Sequence, residues 1–114
     1  MKTKHYDYAP DRWVAVKHTK NDETVYKILG GWSGGYLDGD SWRMNSGIAS
    51  TEKDDRGYLV HGYSGSIYFC SHTGYGTTLL QASILNQLID LGAEELSQEE
   101  AFDLFNSLST TGDK

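Results

Sequence analysis

RWVAVKHTKNDETVYKILGG, residues 12–31, decides the fold class of this chain. Its two ends, 12–19 and 24–31, are rich in aromatic and β-branched residues, which favour β-strands. The polar segment KNDE between them is typical of a tight turn, because such side chains satisfy nearby backbone groups. The sequence therefore predicts an antiparallel β-hairpin as the first structural unit of the chain.

A glycine-rich loop and a third strand are expected after the hairpin. WSGGYLDGDS (32–41) has three glycines and no hydrophobic periodicity, which is typical of an exposed loop. Over 42–51 the pattern predicts a strand in which Trp42, Met44 and Ile48 share a face, because side chains alternate with a period of two. This strand would extend the hairpin into a larger sheet.

A last long strand is expected over YLVHGYSGSIYFCSH, residues 58–72, where apolar and aromatic side chains again dominate. Gly62 and Gly65 lie inside it, and glycine within a strand usually marks a bulge or a kink. All strands then lie within 12–72, and they are expected to form one antiparallel sheet of about four to five strands.

Helical periodicity replaces strand alternation after Gly76. Four apolar side chains share one helical face in TLLQASILNQLIDLG: Leu80, Ile84, Leu88 and Leu91. Thr78 and Gln81 match a capping box, and Gly92 takes the position at which helices commonly stop. The sequence thus predicts a first helix over 79–91.

A second helix is expected over 98–108. Ser97 and Glu100 match another capping box before an amphipathic run. The apolar face of that run consists of Ala101, Phe102, Phe105 and Leu108. Helices of this length are marginal alone in water, so both are expected to pack on the sheet. An α+β domain follows, with the strands first and the helices afterwards.

Length, charge and cysteine content limit the class of protein. The 114 residues suit a single domain, 1–114, with flexible ends expected over 1–10 and 109–114. The net charge of −6 disfavours direct binding to nucleic acid, since the 10 basic residues are scattered along the sequence. The single cysteine cannot form an internal disulfide, and no secretion signal or long apolar run occurs. We therefore expect a cytoplasmic protein that does not bind membranes.

Cys70 and His72 are the pair of residues that most suggests catalysis. On a regular strand they would share a face of the sheet, with Cα atoms about 7 Å apart. A reactive cysteine needs a base that a third group orients, and the sequence identifies no such group. We therefore predict that Cys70 packs in the core and that the chain has no catalytic residue. A small enzyme using Cys70 and His72 is the alternative.

The sequence contains no recognisable metal-binding or cofactor-binding motif. Its four histidines lack H-x-x-x-H spacing, and one cysteine cannot form a C-x-x-C pair. DGD (38–40) resembles the start of a calcium loop, but the later ligand positions of an EF-hand are absent. We expect neither a metal nor a cofactor.

GWSGGY (31–36) and GYSGSIY (62–68) share the pattern glycine, aromatic, serine, glycine. Glycine lets the backbone approach a ligand, and aromatic side chains offer flat amphipathic surfaces. A chance match is the alternative, in which Trp32 and Tyr63 merely close the end of the sheet. We predict one binding surface around both segments. Its residues are Trp32, Ser33, Tyr36, Asp38, Asp40, Trp42, Tyr63, Ser64, Tyr68, His72 and Tyr75.

In style, GGWSGGYLDGDSWRMNSGI (30–48) and VHGYSGSIYFC (60–70) resemble segments of the small accessory proteins of tailed bacteriophages, some of which inhibit host enzymes or defence systems. The resemblance implies stoichiometric binding in the host cytoplasm rather than catalysis. A host protein or protein complex is the preferred partner, because tryptophan, tyrosine and arginine dominate interface hot spots. The alternatives are capture of a nucleotide-derived small molecule and a structural role in the virion.

Overall fold

A computed structural model describes residues 5–34 and 39–109 of the chain. Within these ranges seven strands and two helices follow one another, and the helices come late. The elements are β1 (Arg12–Lys20), β2 (Glu23–Trp32), β3 (Ser41–Met44), β4 (Ile48–Asp54), β5 (Gly57–Gly62), β6 (Ile67–Ser71), α1 (Leu79–Asp90), β7 (Glu94–Glu95) and α2 (Gln98–Ser107). The predicted α+β class is confirmed, as is the antiparallel hairpin of β1 and β2.

The strands form two antiparallel sheets, whereas the sequence predicts one. The four-stranded sheet has the order β3-β2-β1-β7, and the three-stranded sheet has the order β4-β5-β6. All neighbouring strands in both sheets are antiparallel. β7 lies between the two helices, outside the predicted range of strands, and pairs with β1 over Val16 and Lys17.

The two sheets separate directly after β3, so the predicted single strand over 42–51 is wrong. The side-chain oxygen of Asn45 accepts a hydrogen bond from the backbone N–H of Ile28 at 2.8 Å, in place of a backbone carbonyl. Gly47 has a φ of +144°, a backbone conformation that favours glycine. A Cβ at position 47 would also lie only 2.7 Å from the ring of Tyr63, so a larger residue would not fit. The chain therefore leaves the four-stranded sheet here and enters the other one as β4.

β5 and β6 form a second hairpin where the sequence predicts one kinked strand. The N–H of Gly62 donates to the carbonyl of Ser66 at 2.8 Å, and the N–H of Gly65 donates to the carbonyl of Gly62 at 3.0 Å. Gly65 has a φ of +104°, a conformation that residues with a Cβ rarely adopt. Gly65 therefore allows a tight reversal of the chain rather than a kink.

β1 is buried on both of its faces. Trp13 and Ala15 lie in a core formed by both sheets and α2, whereas Val14 and Val16 lie in a second core under α1. This division follows from the alternation of side chains along a strand. The indole N–H of Trp13 also donates to the carbonyl of Ser71 at 2.9 Å, which links β1 to the end of β6.

α1 packs through a face that is offset by one residue from the predicted one. Its buried side chains are Gln81 and Leu85, whereas Ile84 is half-buried and Leu91 is 76% exposed. The amide of Gln81 explains the offset, because it donates to the carbonyl of Leu29 at 2.8 Å and so turns this side of the helix towards the sheet. A buried polar group of this kind is stable only when it is hydrogen-bonded.

The predicted first residues of both helices and the apolar face of α2 are confirmed, and each helix ends one residue before its predicted end. Thr78 with Gln81 and Ser97 with Glu100 form reciprocal capping boxes. On α2, Ala101 and Phe105 are fully buried, and the remaining predicted face residues pack against the same core. Neither α1 nor α2 combines the length and the apolar character that a membrane-spanning helix needs.

The flexible end predicted for 1–10 does not extend to Asp7 and Tyr8, which pair with the outer edge of β6. The N–H of Asp7 donates to the carbonyl of Ile67 at 2.8 Å, and the N–H of Phe69 donates to the carbonyl of Tyr8 at 2.7 Å. These bonds cover the edge of the three-stranded sheet. The rest of the predicted ends falls largely on residues 1–4 and 110–114, which lie outside the described residues.

Replacing Leu85 by alanine should lower the free energy of unfolding by about 2–5 kcal/mol, because it leaves a cavity in the core under α1. The matched change Ile84→Ala removes a half-buried side chain and should cost less. Urea denaturation of both variants measures the difference. A larger loss for Ile84→Ala would show that α1 packs through the face predicted from the sequence.

Candidate functional site

The residues predicted to form one binding surface lie in separate regions of the fold. The first region is the junction of β2 and β3, the second is the β5–β6 turn, and the third is the connection from β6 to α1. The first holds Trp32, Ser33, Asp40 and Trp42; the second holds Tyr63 and Ser64; the third holds His72 and Tyr75; Tyr68 lies within β6. Tyr36 and Asp38 lie outside the described residues.

The length of β2 separates the first two regions. Trp32 ends β2, whereas the Tyr63 ring lies over Gly47 and beside Val25, near the start of β2. At a strand rise of about 3.3 Å per residue, Val25 and Trp32 are about 23 Å apart. Tyr63 is 68% exposed and Trp42 is 42% exposed, but they lie towards opposite ends of β2. The two glycine and aromatic segments therefore do not form one site.

Tyr68 lies in the core, so its predicted place on a binding surface is wrong. Its ring packs against the ring of Tyr8, with 5.1 Å between centroids. Loss of hydration on burial raises the pKa of Tyr68 to about 12, although the positive charge of Arg43 acts in the opposite direction. Tyr68 therefore holds the N-terminal segment against β6 and does not face a partner.

In the third region, the side chains of His72 and Tyr75 mainly contact other residues of this chain. The ring of His72 lies edge-on to Tyr58 and to Phe102, at centroid distances of 5.6 and 5.8 Å. Tyr75 lies edge-on to Trp13 at 5.0 Å, and its hydroxyl donates to the carbonyl of Leu96. Tyr75 is thus half-buried between β1 and the segment before α2, and its main contacts are with this chain.

Cys70 is fully buried, and burial raises the pKa of its thiol well above the usual value. A thiol in that state is a poor nucleophile, which favours the predicted packing role.

A close acid–base pair occurs elsewhere, where His61 Nε2 lies 2.8 Å from Glu52 Oε2 across β4 and β5. Within the described ranges no three side chains of His, Cys, Asp or Glu are arranged to hold a metal ion.

The junction of β2 and β3 carries a cluster of aromatic and arginine side chains. The guanidinium of Arg43 lies 4.4 Å from the centroid of the Tyr8 ring, a cation–π contact. Tyr8 also meets the edge of the Trp32 ring at 6.3 Å, and the Trp32 indole N–H donates to the carbonyl of Ala9 at 3.2 Å. We call Tyr8, Trp32, Trp42 and Arg43 the β3 edge surface.

Trp42 and Arg43 flank the two faces of the same edge strand. Trp42 is paired with Gly31 of β2, and a Cβ added to Gly31 would point towards Gln81 of α1. Because directly paired residues of an antiparallel sheet share a face, Trp42 also points to the α1 side of the sheet. Arg43 points to the opposite side, where it reaches Tyr8. Trp42 is a predicted surface residue, whereas the sequence gives no sign of Tyr8 and Arg43, because their contact joins distant parts of the chain.

In the part of the chain that the structure describes, the outer edge of β3 has the fewest backbone contacts of the strand edges. The outer edge of β6 is covered by Asp7 and Tyr8, and that of β4 is partly covered where the N–H of Thr51 donates to the carbonyl of Leu108 at 3.1 Å. β7 is only two residues long. By contrast, no segment within 5–34 or 39–109 pairs with the outer side of β3.

Similarity to known proteins does not assign a role to this surface. Comparisons of the chain with protein-family models, with curated proteins and with solved structures find no match. The features that bear on function are therefore the outer edge of β3 and the side chains beside it.

The free energy of unfolding should fall less steeply between pH 10 and 12 in Tyr68→Phe than in the wild type. Because folding raises the pKa of Tyr68 from about 10 to about 12, the stabilisation is complete below pH 10 and is lost as the pH rises through about 12. Phenylalanine does not ionise and removes this contribution. Urea denaturation across the pH range measures it, with the exposed-site change Tyr63→Phe as the control. Equal slopes for Tyr68→Phe and wild type would contradict the burial of Tyr68.

Proposed function

We propose that this protein is a binding protein that captures a protein partner at the β3 edge surface and inhibits it stoichiometrically. The observation that carries the proposal is an edge strand whose outer side pairs with no segment of residues 5–34 and 39–109, with tryptophan on one face and arginine on the other. An uncovered edge is a ready site for pairing with another chain, and natural proteins usually protect such edges. An exposed edge bordered by hot-spot residue types supports a role in binding.

The backbone of β3 supplies the first part of the proposed interaction. In an antiparallel pair, alternate residues direct their N–H and C=O groups towards the neighbouring strand, so the others direct theirs outwards. About two residues of β3 therefore offer backbone groups to an extended segment of the partner. Strand addition of this type obtains affinity from main-chain hydrogen bonds and specificity from the flanking side chains.

The side chains of the β3 edge surface supply the second part. Trp42 offers a large, partly exposed ring, and tryptophan, tyrosine and arginine are the residue types most enriched in interface hot spots. The cation–π contact with Tyr8 restrains Arg43 before binding. A restrained side chain loses less conformational entropy when a partner arrives, which favours affinity.

The nature of the partner follows from the resemblance to phage accessory proteins. It supports a host or defence protein of a bacterium as the target, with inhibition in the host cytoplasm as the outcome. Catalysis by Cys70 and His72 is the less favoured alternative, because Cys70 is fully buried and His72 contacts aromatic rings rather than the thiol.

Trp42→Ala should weaken binding of the partner by about 1–4 kcal/mol while the domain stays folded. The partner is first captured from a bacterial lysate on immobilised wild-type protein and identified by mass spectrometry, and its affinity is then measured with purified components. Thermal unfolding of each variant confirms that it folds.

Tyr63→Ala is the matched control, because it also removes an exposed aromatic ring but acts at the far end of β2. It should leave the affinity unchanged. Loss of binding in Tyr63→Ala with full binding in Trp42→Ala would refute the β3 edge surface as the site and favour the β5–β6 turn.

A further inference from the structure

The outer face of the four-stranded sheet is only partly covered by α1. A cavity of about 150 Å³ lies at the C-terminal end of this helix. Leu88 and Leu91 form its wall on the helix side, and Val16, Lys27 and Met44 form its wall on the sheet side. A second, more open depression of about 260 Å³ continues over Val25 towards the β1–β2 turn. Both depressions are bordered by His18 and Lys27. We call these two adjoining depressions the α1-end groove.

The size of the cavity limits what enters it. A cavity of about 150 Å³ with apolar walls accommodates a group the size of benzene. Drug-sized ligands occupy pockets of about 300–1,000 Å³, so this cavity suits one apolar side chain rather than a whole small molecule. Leu91, at the end of α1, is 76% exposed and would be covered by such a group.

The charge of the groove is opposite to that of the chain as a whole. The chain carries a net charge of −6, yet two lysines, Lys20 and Lys27, border the groove together with a single acidic residue, Glu23, which is paired with Lys20 across the β1–β2 turn. Neither lysine forms an ion pair within residues 5–34 and 39–109. Lys17, on the opposite face of β1, lies 3.7 Å from Glu94. Within the part of the chain that the structure describes, no ion pair of Lys20 or Lys27 therefore competes with a partner for these two charges.

The charged and apolar parts of the groove lie close together. His18 is paired with Val25, and Lys27 is paired with Val16, so His18 and Lys27 are diagonal neighbours on the same face of the sheet. Diagonal neighbours of this kind are about 7–8 Å apart at Cα. A carboxylate near Lys27 would therefore stand directly beside an apolar group in the cavity.

We propose that the α1-end groove binds an acidic protein segment, with one apolar side chain in the cavity and a neighbouring carboxylate on Lys27. Charge complementarity selects the acidic residues, and the apolar walls select the anchor. This site is distinct from the outer edge of β3, and the inference does not rest on the proposed function.

The test uses fluorescein-labelled synthetic peptides and the full-length protein. The probe is an extended peptide of alternating glycine and glutamate with one central phenylalanine. One comparison peptide has lysine in place of glutamate, and another has alanine in place of phenylalanine. Fluorescence anisotropy should show that the glutamate–phenylalanine peptide binds more tightly than either comparison peptide.

Lys27→Glu should weaken binding of the probe by about tenfold, since it replaces an attractive charge with a repulsive one. Lys53→Glu is the matched control, because it makes the same change in net charge on the three-stranded sheet. It should leave the affinity unchanged. Leu91→Ser should weaken binding of the phenylalanine peptide but not of the alanine peptide.

Three results would overturn the proposal: no binding of the probe at millimolar concentration, equal binding of the lysine peptide, or equal losses in Lys27→Glu and Lys53→Glu. Trp42→Ala should retain full affinity for the probe. A failure of the β3 edge surface to bind its partner therefore leaves this result intact, and the two proposals fail separately.

Discussion

The burial of β1 on both faces is the constraint on which the rest of the structure depends. Trp13 and Ala15 require a core on one side, and Val14 and Val16 require another on the opposite side. Strands buried on both faces usually belong to sheets with layers on both sides. The three-stranded sheet and α2 supply the inner layer, and α1 supplies the outer one. The division of the strands into two sheets gives β1 a cover on each face that one flat sheet would not provide.

Local signals account for the elements that the sequence predicted correctly. The β1–β2 turn holds Asn21 and Asp22 at φ of 53° and 67°, a conformation that these two residue types tolerate well. The capping boxes likewise involve residues three positions apart. The break after β3 depends instead on Asn45 meeting Ile28 and on the Tyr63 ring covering Gly47. Such contacts join distant segments, and neither composition nor periodicity reveals them.

In the candidate site, too, the residues that could be predicted depend on near neighbours in the sequence, and the others depend on contacts between distant segments. Trp42 lies on an edge strand and is partly exposed, in agreement with its predicted surface position. Tyr68 is buried, and a local signal for this was present: it lies two residues before Cys70, so the two share a face of β6. Since Cys70 was expected in the core, Tyr68 should have been placed there too. Arg43 and Tyr8 had no such signal.

Strand geometry also explains how an acidic chain acquires a basic groove. The basic residues look scattered in the sequence, but alternation sends His18 and Lys20 to one face of β1 and Lys17 to the other. Pairing with β2 then adds Lys27 to the first face. At physiological ionic strength charges are screened over about 8 Å, so a segment in contact with the groove responds to Lys20 and Lys27 more than to the net charge. β3 borders both surfaces, because Met44 lines the cavity at the end of α1. The outer edge of β3 and the α1-end groove are therefore separate features that share one strand.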